Sequence, residues 1–321
     1  MASRSLRPKG KLLLAMILIV CFSAFYAGCG NQDYEKPIQQ FQQASTTVIS
    51  SMHDFLSHMN QIEEDEMIDR KTFDREKIDL DKIKQDTLVI TQAEISARTK
   101  ALDALSSYTT NLANLIQAKN MQAIADNTKT LQITLGQLAQ DSKSLSVSTV
   151  SGVDNAKFSG AVQLAAVAIS SVAQALAERK ARRTLEETIR NNDASVTDLI
   201  KLIEEETGYA YERQKHSLGN QRVVLMGDYN KELDKGQSAD PVLMMFLADR
   251  MKDYYSHAAA LDSTDPEPAI QAMRKAHSAL VAYVYSNKGP KDLAGLVASA
   301  EDFFKRAQPL GEATAALLKA K

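Results

Sequence analysis

Apolar residues recur at helical spacing along most of the chain. Over 35–68 the stripe is Ile38, Phe41, Val48, Phe55, Leu56, Met59 and Ile62, which places one face of a helix inward. A second stripe, from Leu88 and Ile95 through Leu102, Leu105 and Leu112 to Leu115 and Ile116, predicts a helix over 87–118. The breakers agree. Neither glycine nor proline occurs over 38–135, while Gln, Ala, Leu, Lys, Glu and Met abound, and these favour helix. Asn120 marks a break before a third helix running to about residue 147, and the Ser/Thr/Gly-rich stretch 144–155 reads as a loop before a fourth helix over 156–190.

Ser195, with Asp198 three residues later, resembles a capping box and predicts the start of a fifth helix. That helix carries Leu199, Leu202 and Ile203 and continues past Gly208 to about 233. Asp240-Pro241 and Asp265-Pro266 each pair a capping side chain with a proline suited to the first helical turn, opening helices over 241–260 and 266–286. Pro290 opens the last helical stretch, with a break expected near Pro309-Leu310-Gly311. The mixed-charge segment 63–86 is expected to hold a bend. No run alternates as a half-buried strand would, no heptad pattern is sustained over several repeats, and no internal repeat is seen. The chain therefore reads as all-α. The expected architecture is an elongated bundle of long antiparallel helices over 35–235, with a smaller C-terminal helical part over 236–321 packed on it.

The first thirty residues follow a different logic. Arg4, Arg7, Lys9 and Lys11 precede the uncharged, strongly apolar stretch 12–28, and no acid appears before Asp33. A basic start, an apolar middle and a small-residue end are the parts of an export signal. The segment Tyr26-Ala27-Gly28-Cys29 resembles the lipobox of bacterial lipoproteins, with Tyr26 in place of the usual leucine. The resemblance implies that 1–28 is a signal peptide cut before Cys29. The Cys29 thiol would carry a diacylglyceryl group, its new amino group would commonly be acylated, and 29–34 would be a tether. Each buried methylene contributes about 0.8 kcal/mol, so two or more chains hold a protein firmly at a bilayer. Cys21 offers no small residue before it and is not a rival site. Gly30, rather than aspartate, follows the cysteine, which in enteric-type bacteria points to the outer membrane, facing the periplasm.

Composition narrows the rest. The 321 residues include 38 Lys and Arg against 40 Asp and Glu, a net charge of -2. Loss of 1–28 removes four bases and no acid, which takes the net charge to -6. A mildly acidic domain does not suit general nucleic-acid binding. Both cysteines, Cys21 and Cys29, lie in the N-terminal segment, so the folded part has neither a disulfide nor a thiolate metal site.

Catalytic and cofactor motifs are not found: there is no GxSxG, phosphate-binding loop, GxGxxG or HExxH. Of the five histidines, His53 and His58 fall on different helix faces, while Glu212 and His216 can share one. None forms the Glu-x-x-His pairs of a di-iron bundle. No cofactor or metal is expected. The acidic run 63–66 reads as a solvated face. Met244-Met245-Phe246-Leu247 and Met251 fit either a core face, which is favoured, or an adaptable binding surface.

The segment 158–177 stands apart. It is uncharged, and Val162, Leu164, Val167, Ile169, Val172 and Leu176 are spread around the helix. Such a helix is buried in protein or in lipid. The central core helix is favoured. The leading functional expectation is a non-enzymatic, lipid-anchored scaffold or binding partner of another envelope protein. The second is a membrane-active helical protein that inserts 158–177, and the third is an enzyme with an unrecognised site.

Overall fold

The computed structural model describes residues 32–74, 76–86, 92–117 and 181–319. Cys29 and the segment 158–177, with Val162, Ile169, Val172 and Leu176, lie outside the described residues, as does the expected third helix. Among the described residues there are helices and no strand. We label them α1 (Gln32–Phe73), α2 (Leu80–Asp86), α3 (Gln92–Gln117), α4 (Ala181–Leu233), α5 (Pro241–Asp262), α6 (Glu267–Tyr285) and α7 (Pro290–Leu317). The expected all-α bundle is what the chain forms.

Residue pairings between helices give their directions. Phe41 of α1 stacks near both His277 of α6 and Phe303 of α7, while Tyr34 meets Tyr283 edge-on. Lys36 bonds Glu301 at 2.8 Å, and Thr47 abuts Gly311 further along. So α1 and α6 run antiparallel, and α1 and α7 run parallel. His53 reaches Asp103 across α1 and α3, and Arg98 pairs with Glu206 across α3 and α4. One cluster of buried apolar side chains extends from Tyr34 in α1 through every long helix except α5's outer half to Leu317 in α7. The stripe read from sequence is its α1 wall: Ile38, Phe41, Val48, Phe55, Leu56 and Met59 are all buried. Each such side chain stabilises the fold by about 1.5–3 kcal/mol through burial.

Two expected breaks are absent. Ser195 and Asp198 do not start a helix, because α4 runs unbroken from Ala181 to Leu233, 53 residues, or about 80 Å. The polar stretch before Ser195 is absorbed by one bond within the helix and one contact across to α6. Asn192 donates to the Thr188 carbonyl at 2.7 Å, and Asp193 lies 3.5 Å from His277. Likewise α7 passes through Pro309 without a break. Its Gly311 marks a close approach instead: a Cβ there would stand 2.8 Å from Thr47 Cγ2. The expected bend after the first helix does occur, at Asp74 and the extended residues 76–79 that follow.

Residues 234–240 form the turn of a helical hairpin between α4 and α5. Gly236 takes φ +59°, where a side chain is strained. Buried Glu232 accepts from the Asp240 backbone N–H at 2.8 Å and from Lys235, which closes the turn. Asp240 then caps α5 by accepting from the Val242 and Leu243 N–H groups, as the sequence predicts.

Candidate functional site

Helix α5 should be as well buried as its neighbours, since its sequence is rich in Met, Leu, Phe, Tyr and Ala. It is not. Only Leu247 and Leu261 are buried, while Val242 is 71% exposed and Met245 64% exposed. The run Met244-Met245-Phe246-Leu247 is therefore split: Leu247 enters the core and Met245 faces out. This corrects the favoured reading of that run as a core face. The reason is positional. The hairpin tip extends past the layer where α1, α6 and α7 meet, so no helix of the described fold covers α5's outer side.

A shallow groove opens between the α4–α5 hairpin and the end of α1. Its floor is apolar, formed by Val224, Leu225, Phe246 and Leu247. Four charged residues line it: Asp69 and Arg70 from α1, Asp228 from α4 and Arg250 from α5. Arg250 pairs with Asp69 and lies 3.7 Å from Asp253. Burial raises the Asp69 carboxyl above its ordinary 3.8, against the opposing pull of Arg250. Two acids and two bases give the lining no net charge, so it has no electrostatic preference for an anion or a cation. An apolar side chain set in a mixed polar rim fits it best, which is the chemistry of a protein surface.

A second polar cluster joins buried His277 and Tyr108 to a partly exposed aspartate. His277 is 1% exposed and its Nε2 stands 3.5 Å from Asp193 Oδ1, a long contact. Tyr108 meets the His277 ring edge-on at 6.0 Å. Its hydroxyl has no hydrogen-bond partner among the described residues. Burial pushes that hydroxyl far above its ordinary 10, with Asp193 adding to the effect. A histidine beside an aspartate invites a catalytic reading, but a substrate cannot reach this one through the packed helices. The pair joins α4 to α6 and is structural.

The other sequence candidates are not brought together. Glu212 is well exposed and lies 3.9 Å from Lys215. His53 contacts Asp103 at 3.1 Å. Among the described residues no group of three or more His, Cys, Asp or Glu is placed to hold a metal ion. No described helix is long and apolar enough to cross a membrane. The His277–Asp193 and Arg98–Glu206 contacts were invisible to sequence reasoning, because each joins residues distant in the chain that obey no shared spacing. No family model, curated protein or solved structure matches this chain.

Proposed function

We propose that this chain is a lipid-anchored, non-enzymatic helical protein of the cell envelope that binds a partner protein at the α1–α4–α5 groove. The observation that carries the binding role is the partly exposed apolar pair Val224 and Phe246 in that groove, set beside the charged Asp228 and Arg250. Exposed, contiguous apolar surface rimmed by polar groups is a mark of interaction sites. The address rests on the lipobox-like Tyr26-Ala27-Gly28-Cys29. The two readings fit each other. Cys29 precedes α1 by only three residues, and Asp69 stands near the far end of α1. A lipid on Cys29 would hold one end of the bundle near the bilayer and present the groove up to about 55 Å away.

Cys29→Ser should abolish incorporation of a fatty-acid analogue in cells, because only the thiol accepts the diacylglyceryl group. Equal labelling of the wild type and the variant would overturn the anchor. For the groove, cross-linking in cells should capture a defined protein that Phe246→Asp no longer captures. The same set captured by both forms would remove the groove from the proposal.

A further inference from the structure

Helix α4 carries a second, separate surface. Its core-facing positions near the hairpin, Leu218, Gln221 and Glu232, are buried in the bundle. On the opposite side, Gly219, Val223, Met226, Asn230 and Leu233 are all exposed. Their steps are four, three, four and three, the alternation of a coiled-coil seam. Val223 and Asn230 fall at a positions and Met226 and Leu233 at d positions. Val223 is 70% exposed and Leu233 52%, both high for such residues. Nothing among the described residues explains them, and the flanking glycines sharpen the point. A Cβ on Gly219 or Gly227 would meet nothing within 4 Å. Glycine inside a helix costs about 0.5–1 kcal/mol relative to alanine, a cost that no intramolecular contact offsets here.

We infer that this face of α4 is the seam of a parallel, in-register homodimer. Val223, Met226, Asn230 and Leu233 pack against their counterparts in a second copy. Asn230 identifies the occupant. An asparagine amide both donates and accepts, so at an a position it is satisfied by the same residue of a parallel neighbour. An antiparallel copy would set it against apolar d residues and leave it unpaired. The flanks agree. In the parallel register Arg222 lies beside Gly227 of the second copy, and Tyr229 beside Asp234, so no like charges meet. The Tyr229 hydroxyl can donate to that Asp234 carboxylate. Upstream, Glu212 takes the next d position and would face its own counterpart, which ends the seam at Gly219. Two heptads are short for free helices, but α4 is already held in place by its own bundle, so little ordering is lost on docking. The inference is independent of the lipid anchor and of the groove, whose lining uses other faces of α4.

The test uses the full chain with Cys21→Ser and Cys29→Ser, purified in mild detergent, so that any introduced cysteine is the only thiol. Oxidation of Leu233→Cys should give a disulfide-linked dimer on a non-reducing gel. Lys231→Cys, exposed on the same turn but off the seam, should stay monomeric. In sedimentation velocity, Met226→Arg should weaken self-association by roughly 100-fold, since it sets a pair of like charges in the seam. Met226 is exposed in the single chain, so circular dichroism should show the variant folded. Absence of the Leu233→Cys cross-link would overturn the proposal. So would equal cross-linking at residue 231, or a dimer that Met226→Arg leaves intact, which would place the contact in the N-terminal apolar segment.

Discussion

Helices α5 and α6 follow one another and are built from similar residues, yet they behave as opposites. In α6, Ile270, Met273, His277, Leu280 and Val284 recur at intervals of three and four and are all buried. In α5 the apolar residues are scattered around the helix, and only Leu247 and Leu261 are buried. Apolar content therefore does not set burial here; its arrangement does. Three helices converge on α6, where Phe41, Phe303, Tyr34 and Tyr283 interlock. At the hairpin the helices outrun their neighbours. One end of the molecule is built for stability, and the other holds apolar surface that a fold seeking only stability would cover.

The largest expected contrast is between two phenylalanines. Phe303 is fully buried at the α6–α7 layer, whereas Phe246 on the groove is 38% exposed. Phe303→Ala should cost about 3–5 kcal/mol, because the packed layer cannot collapse into the cavity. That is a large share of a typical total of roughly 5–15 kcal/mol. Phe246→Ala should cost about 1 kcal/mol or less, since much of its surface is already in water. Urea unfolding followed by circular dichroism measures both. Similar losses would mean that the two ends are equally packed.

Two glycines carry the contrast at a smaller scale, with opposite signs. At Gly311 a methyl group would press on Thr47 Cγ2. Thr47 is stiff at χ1, and its hydroxyl bonds the Gln43 carbonyl at 3.2 Å, so it yields poorly. Gly311→Ala should destabilise by about 1–3 kcal/mol. Gly208, within α4, has open space before it. Gly208→Ala should stabilise by about 0.5–1 kcal/mol. Thermal melting of the two variants beside the wild type reads the signs, and a shared sign would sink the distinction.

What the sequence disclosed divides along the same line. The α1 stripe and the α5 cap at Asp240 are local matters of periodicity and capping, and local reasoning found them. Ser195 and Pro309 misled it, because α4 and α7 continue through them while packed against residues far away in the chain. Ser195 and Asp198 read as a helix start until the preceding Asp193 is seen to meet His277 of α6. The candidate site was legible only in part. Met245 and Phe246 stood out as apolar, but whether they face the core depends on where the neighbouring helices end, and no residue pattern encodes that.

The smallest expected effects are electrostatic and again opposite at the two ends. At the packed end, the nearby His277 ring and the Thr197 hydroxyl hold the Asp193 carboxyl below its ordinary 3.8 despite partial burial. The unfolded chain then binds that proton more readily, so the stability from Asp193 is present above pH 3.8 and is lost as pH falls through the folded value. At the hairpin end, burial raises Asp69 above 3.8, and Arg250 only partly offsets it. There the folded state binds the proton more readily, so the contribution is present below 3.8 and is lost as pH rises through the folded value. Solvent reaches both carboxylates and screens them, which keeps the effects small. Urea midpoints measured across a pH series should show Asp193→Asn converging with the wild type as the solution is acidified. Over the window just above pH 3.8, the wild type should instead gain on Asp69→Asn as pH falls. If both variants drift from the wild type in the same direction, solvation differs less between the two ends than their packing implies.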